Sequence, residues 1–460
     1  MKIIRTFGYR SIAVVAAIIT AFLAVLVAFF VPTPEYAAAE GGSLSVHFVN
    51  VGQGDCCIIE LPDGKTAIID GAENKKTHEQ QIQTFIDNNL AGLKYFDYAI
   101  LTHPDSDHCG SLDYVLEKYP SRVCYRPNVE AVGTKSNPYT DPGKADLTAD
   151  AVTKNTAAYA DAVKAMYATT PDFTSKVYVT DPSVAEQTII GGSGDDRYVL
   201  NFYTPLSSKY SDWNEYSPIT VLEYRGFKFA ISGDAEKNNE KEFCAKVAAA
   251  ATDGKQDKYD VFDDEFCVNV FKAGHHGSST SSSQGYLDVM TTADGAKDAY
   301  YVFSCDPVGN TYGHPHQEVL DRLSAMGVPD ANMLRTDKLG DLNFTVKFDG
   351  TQYSLYYGDE KTDAVAGCTL IVDDGAQSVG GDNAGDNAGD NVGGGGGGAE
   401  NSARQDEPEQ EDFFEKYKVY IIIAVVVIVI VVVVFMIYNS KNGKKRGKRK
   451  SGGGRGKNKR

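Results

Sequence analysis

Leu101-Thr102-His103-Pro104-Asp105-Ser106-Asp107-His108 is the stretch from which the rest of the chain is best read. It follows residues 95–101, an apolar run with the length and content of a buried strand. Two His and two Asp then fall within six residues. A loop at the carboxyl end of a strand can fold back and aim all four side chains at one point, which neither a helix nor a strand would do. Imidazole and carboxylate together suit zinc, manganese or iron. The bland alternative is a solvated polar turn, but clustered His and Asp are what metal sites are made of.

Three further segments extend the pattern. Asp234, in Ile231-Ser232-Gly233-Asp234-Ala235-Glu236, ends one strand and begins a helix, so it is either a ligand or a helix N-cap. Lys272-Ala273-Gly274-His275-His276-Gly277-Ser278-Ser279 sets two adjacent His after a strand, between glycines. One imidazole can turn inward and the other towards a substrate, and the Ser/Thr run after them could donate hydrogen bonds to phosphate oxygens. Gly313-His314-Pro315-His316 lies at another strand-to-helix junction, where His can also serve as a cap. Six of the eight His lie in these motifs, and the remaining two, His47 and His78, read as ordinary.

Strands are predicted at residues 44–50, 56–61, 66–69, 95–101, 198–203, 219–224 and 227–232. Helices are predicted at 77–89, 112–118, 156–168 and 236–249. Residues 127–175 and 251–264 are polar and read as insertions. The mixture is α/β, with antiparallel hairpins feeding a buried sheet.

The ordered set is specific. Val46-His47-Phe48-Val49-Asn50-Val51-Gly52-Gln53-Gly54-Asp55, Ile69-Asp70-Gly71, the His103 segment, the Asp234 segment, the His275-His276 segment and Gly313-His314-Pro315-His316 together resemble the metallo-β-lactamase superfamily. The nearest branch is the hydrolase domain of ComEC-type competence proteins. The likeness covers about residues 43–360 and implies an αββα sandwich with the site at one edge of two sheets. It implies two divalent metal ions, Zn or Mn, bridged by Asp234. His103, Asp105 and His276 would hold one, and Asp107 and His108 the other. Asp70 would orient the metal loop through hydrogen bonds. Asp107, His275, Lys272 and His314 are the catalytic or substrate-facing candidates. Asp105 stands where the superfamily usually has His, which shifts the site towards manganese. No His lies between residues 109 and 233, so a further ligand common in the family is missing. Cys109 follows the metal loop as a possible extra thiol ligand or disulfide partner.

The ends of the chain read differently. Residues 11–32 are almost wholly apolar after a basic start and precede Ala37-Ala38-Ala39, so residues 1–39 read as a signal peptide or N-terminal anchor. Residues 373–418, with Gly-Asp-Asn-Ala repeats and a glycine run, read as a disordered acidic linker. Residues 419–438 carry no charge and are long enough to form a transmembrane helix. The last 20 residues hold eleven Lys or Arg and no acid, a basic tail that the positive-inside rule places in the cytoplasm. The expected protein is a bacterial surface enzyme on single-pass membrane anchoring, with an extracellular domain and no stable protein partner. Eight Cys permit disulfides there.

The function expected is metal-dependent hydrolysis of a phosphoester, of nucleic acid or of a wall polymer such as one bearing choline phosphate. A net charge of −17 makes long nucleic acid a poor partner without metal ions. A β-lactamase-like amide hydrolase and a non-catalytic surface binder are the competing readings, since fold alone does not set function.

Overall fold

A computed structural model describes residues 42–367 apart from 149–151, 155, 254–256, 264, 293 and 308–310. The expected signal peptide, linker, transmembrane helix and basic tail lie outside the described residues, as does Cys368. Among the described residues no helix is long and apolar enough to cross a membrane.

The chain opens with β1 (Leu44–Phe48), β2 (Cys57–Glu60) and β3 (Thr66–Ile69), paired antiparallel. Val46 faces Ile59 and Cys57 faces Ile69, so the register sends the apolar side chains of one parity to the same face. β4 (Phe96–Ile100) and β5 (Ser121–Arg126) then add in parallel. β6 (Val129–Ala131) and β7 (Val152–Lys154) form a separate parallel pair, and β8 (Lys176–Val179) joins β5 in parallel.

A second sheet follows. β9 (Ile189–Gly191), β10 (Tyr198–Phe202), β11 (Thr220–Tyr224) and β12 (Phe227–Ile231) are antiparallel, while β13 (Val270–Lys272), β14 (Tyr300–Phe303) and β15 (Met333–Arg335) continue in parallel. β16 (Leu342–Phe348), β17 (Tyr353–Tyr357) and β18 (Glu360–Lys361) return to the first sheet beside β1. The two orders are β18-β17-β16-β1-β2-β3-β4-β5-β8 and β15-β14-β13-β12-β11-β10-β9.

Three apolar layers follow from this pairing. Val46, Phe48, Ile59, Ile69 and Ile100 meet Phe229, Ile231, Val270 and Val302 between the sheets. The outer face of the first sheet is covered by α1 (Lys76–Asn89), α3 (Leu112–Lys118) and α4 (Ala157–Met166); α2 (Ser106–Cys109) is the short turn before α3. The second sheet is covered by α5 (Lys237–Asp253), α6 (Gln284–Met290) and α7 (Gln317–Ala325). The architecture is therefore αββα, an α/β sandwich of two sheets as the sequence implied.

The polar stretches are more integral than their composition indicated. Residues 127–175 contain α4, the crossover between parallel strands β5 and β8, and it buries Tyr159, Ala162, Val163 and Met166 against the first sheet's helices. Alanines supply a thin apolar stripe that a polarity count overlooks. In 251–264, Tyr259, Val261 and Phe262 pack into the outer core of the second sheet. The expected disulfides do not form among the described residues, where seven Cys are free thiols.

The strands β1, β3, β4, β12, β13 and β14 end on one side, and the motifs read from the sequence reach the loops after them. In α/β sheets that edge is where ligands bind, because loops from neighbouring strands converge there.

Candidate metal centre

The metal loop is a loop and one helical turn, not a loop throughout. Ser106–Cys109 close a turn in which His108 N and Cys109 N donate to Asp105 O at 3.1 and 2.9 Å. Two neighbouring segments brace it. Asp55 N donates to Asp107 O (3.1 Å) and Gly71 N to His108 O (2.7 Å). Gly54, at φ +132°, passes so close that a Cβ there would lie 2.5 Å from Asp107 O. This contact accounts for the glycine before Asp55.

The second sheet supplies the opposite wall. Asp234 follows β12 after Gly233, whose φ is +50° and whose backbone abuts Thr102. α5 starts three residues beyond Asp234, and Glu215 takes the N–H groups of Asn238 (3.2 Å) and Asn239 (2.7 Å), so Asp234 is not the helix cap. After β13, His275 and His276 both adopt left-handed backbone, at φ 49° and 55°. Each costs on the order of 1–2 kcal/mol, strain of a kind that clusters at functional sites.

These segments meet around Asp234. His108 Nε2 lies 3.1 Å from Asp234 Oδ1 and 3.3 Å from His276 Nε2. His276 Nε2 lies 3.3 Å from Asp107 Oδ2 and 3.5 Å from Asp234 Oδ2. His103 Nε2 lies 3.9 Å from Asp234 Oδ2 and 3.7 Å from Asp105 Oδ2. All six residues read as ligands are thus gathered in one place. Their grouping differs from the one implied by the resemblance: His276 sits with Asp107 and His108, and His103 is left with Asp105. The left-handed turn at residues 275–276 sets this by swinging His276 across Asp234.

The donor set fits a divalent cation. A tetrahedral ion with bonds of about 2.0–2.1 Å holds its ligand atoms about 3.3–3.4 Å apart, the spacing seen around His276 Nε2. His103 Nε2 and Asp234 Oδ1 are buried without an aligned hydrogen bond. Buried polar atoms are ordinarily satisfied, and these point into the shared space. Asp55, His108, Asp234 and His276 also place donor atoms within 4.8 Å of one another. Asp55 approaches His276 at Nδ1 (3.3 Å), away from the atoms gathered at Nε2, which makes it a support rather than a member of that group.

Each imidazole is held from behind. Asp70, left-handed at φ 61°, accepts Thr102 N (2.9 Å) and Thr102 Oγ1 (2.7 Å), and its Oδ2 lies 2.8 Å from His108 Nδ1. Thr102 Oγ1 and Ser217 Oγ lie 3.0 and 3.1 Å from His103 Nδ1. Such partners fix tautomer and ring orientation. Asp55 and Ser217 were missed in the sequence reading. Asp55 ends the Val46–Asp55 motif, but its role depends on contacts with distant turns that no local signal marks. Ser217 carries no local signal.

Lys272 is corrected. It was a substrate-facing candidate, but it is 1% exposed, and its Nζ pairs with Asp55 Oδ2 at 2.9 Å. Strand alternation in β13 turns it inward beneath the site. Within the Ser/Thr run, Ser278 Oγ and Thr280 Oγ1 are 3.0 Å apart and Thr280 Oγ1 donates to Glu236 (2.7 Å), so these two hydroxyls are engaged locally. Cys109 Sγ lies 3.3 Å from Pro104 O.

The electrostatics follow from burial and the acidic ring. Burial opposes protonation of His108 and His276, but Asp234 with Asp70 on one and Asp55 on the other outweighs it and holds both pKa values well above normal. Burial would raise Asp107, yet bonding to His276 and the nearby His108 bring it to about 2. Burial and then neighbouring His108 lower His103. A cation entering this ring would displace the imidazole protons.

The open face carries Asp105 (35% exposed side chain), Asp107 (28%) and His275 (24%). His275 Nε2 lies 3.7 Å from Asp234 Oδ2, and its Nδ1 lies 3.1 Å from Glu236 Oε1. His314 stands at the rim, with Nδ1 3.0 Å from Gln53 Nε2 and its ring 5.3 Å from that of His275. Burial, then His276 and His275, push its pKa down to about 3. His316 Nδ1 accepts Ser279 N at 2.8 Å, a structural task.

Two sheets in an αββα sandwich with a His/Asp cage at their shared edge define a metal-dependent hydrolase of the metallo-β-lactamase fold. Residues 49–193 match the metallo-beta-lactamase superfamily, and two curated relatives support a likeness to its ComEC-like branch. It is 23% identical over 328 residues to ComE operon protein 3 of Bacillus subtilis, covering 68% of this chain and 34% of that one. It is 24% identical over 256 residues to competence protein ComA of Neisseria gonorrhoeae, covering 56% and 26%. The chain therefore spans about a third or less of the length of these relatives. Among solved structures, the metallo-beta-lactamase fold protein YhfI from Bacillus subtilis aligns with 61% of this chain and 93% of its own, at 8% identity and TM-score 0.29. Zn(2+)-bound PqqB from Methylobacterium extorquens aligns with 62% and 96%, at 12% identity and TM-score 0.29.

Proposed function

We propose that this chain is a phosphodiesterase of nuclease type, using two divalent cations, Zn or Mn, and displayed outside the cell on a single-pass anchor. The observation that carries the reading is the gathering of His103, Asp105, Asp107, His108 and His276 around Asp234, with donor atoms 3.1–3.9 Å apart. Likeness to proteins named for competence favours nucleic acid as the diester. The acidic chain favours short or single strands over long duplex.

His103 and Asp105 would hold one cation and Asp107, His108 and His276 the other, with Asp234 between them. Divalent cations there supply a Lewis acid and a hydroxide nucleophile near neutral pH. The remaining steps belong to the chain. Asp70, Thr102, Ser217 and Asp55 hold the imidazoles in place. His275, its Nδ1 beside Glu236 and its Nε2 facing the open side near Asp234, is placed to pass a proton to the leaving oxygen. Gln53 keeps the His314 ring upright at the rim.

A screen of the full-length protein with Mn²⁺ or Zn²⁺ against DNA, RNA, phosphocholine esters and nitrocefin tests this reading. Hydrolysis of the nucleic acids, abolished in Asp107→Ala, is expected. Turnover of nitrocefin alone, or full activity in Asp107→Ala, would overturn it.

A further inference from the structure

The catalytic cage accounts for His275 and His276 but leaves a group of rings beside them unexplained. The His314 ring lies 6.1 Å from that of His276, at 31°, and the Tyr312 ring lies 5.9 Å from His314, at 26°. The three rings run from the cage to the surface, each tilted on the next, and His275 and His316 stand steeply to His314, at 73° and 76°. The outermost, Tyr312, is 62% exposed, whereas His314 is buried. On the other side of the site Trp213, 37% exposed and the chain's one tryptophan, immediately precedes Asn214, whose Nδ2 lies 3.5 Å from His275 Nδ1.

We propose that Tyr312 and His314 form a stacking platform for a planar group carried next to the scissile phosphodiester, a nucleobase of a single strand. The inference rests on the phosphodiesterase reading and names the substrate feature that the rim selects. Stacking of a base on an exposed aromatic ring is worth a sizeable fraction of single-strand affinity without reading sequence. Tyr312 lies two ring spacings, 6.1 and then 5.9 Å, out from His276, so a base resting on its outer face would sit one spacing further from the phosphate-binding centre.

The test uses the full-length protein with Mn²⁺ and two diesters: thymidylyl-thymidine, which carries planar bases, and glycerophosphocholine, which carries none. Tyr312→Ala is expected to lower kcat/KM for thymidylyl-thymidine about 10-fold or more relative to that for glycerophosphocholine, and Tyr312→Phe to restore it. An equal loss on both diesters, or a larger loss on glycerophosphocholine, would overturn the platform. A second measurement needs no turnover. Binding of hexathymidylate to the metal-free protein is followed through the fluorescence of Trp213. A dissociation constant raised about 10-fold in Tyr312→Ala supports the platform, and an unchanged one overturns it. If neither diester is hydrolysed with any metal, the phosphodiesterase reading fails while the binding result still decides the platform.

Discussion

Two buried groups of charge in this protein look alike by composition and differ in what surrounds them. Arg126 and Asp141 are wholly buried, and the guanidinium meets the carboxylate in two bonds of 2.8 and 2.7 Å. Ala131 N (3.0 Å) and Gly143 N (2.9 Å) complete the carboxylate. Asp234 is also buried, but its neighbours are four imidazoles and further acids, and its Oδ1 finds no aligned donor. A charge whose bonds are complete ties β5 to the connection after it. A charge left incomplete in a ring of donors is arranged for something that arrives from outside. Satisfaction of the buried carboxylate oxygens, rather than their charge, separates the structural site from the reactive one, although Arg126 Nε also lacks a partner.

That contrast can be broken by mutation. The largest effect expected is on chemistry: Asp234→Asn should lower diester hydrolysis on the order of 10³-fold, since the residue between the two cation positions is lost. Its stability in chelator should nevertheless fall by less than that of the next variant, because His108 and His276 can release their protons once the Asp234 charge is gone. Denaturant unfolding in EDTA measures this, and a loss matching that of the next variant would erase the distinction. Arg126→Met should cost about 3–5 kcal/mol by stranding Asp141, while leaving cation affinity unchanged.

A smaller effect tests the supports behind the imidazoles. Asp55→Asn and Asp70→Asn should each weaken cation binding about 10–100-fold in a chelator competition, with the fold intact by circular dichroism. If Asp55→Asn binds cation as tightly as the parent, the Lys272–Asp55 pair is packing alone. The smallest effect concerns Glu240, which accepts Ser282 N (2.5 Å) and Ser283 N (2.9 Å) in the loop after His276. Burial outweighs those bonds and raises its pKa to about 7. An acid raised on folding contributes stability that is present below its unfolded pKa and lost as pH rises through the folded value. The parent should therefore lose stability between about pH 4.5 and 7 by a margin that Glu240→Gln removes, as read from melting temperature across that range.

Much of the site was legible because its ligands are dense in sequence. His103 to His108 pack four donors into one short loop, and Asp234 and the His275-His276 pair each follow an apolar strand. What hid was everything that depends on side-chain direction. Lys272 read as a free cation beside two histidines, yet one step of strand alternation turns it under the sheet to Asp55, 217 residues away in the chain. His276 read as a partner of His103, yet a left-handed turn carries it to Asp107 and His108. The polar, alanine-rich stretch before β8 read as an insertion because a stripe of alanines gives little hydrophobic signal, though α4 is the crossover that covers the sheet.

Local chemistry and periodicity, which survive in a linear string, determined the α/β class and the order of the motifs, and the family resemblance those motifs carry implied the αββα sandwich and the five donors around Asp234. Only the packed structure decided how those donors divide, which acids hold the rings from behind, and which face stays open to a substrate. The reason is that these depend on backbone angles at a few residues and on contacts between segments more than a hundred residues apart, to which no nearby residue gives a clue.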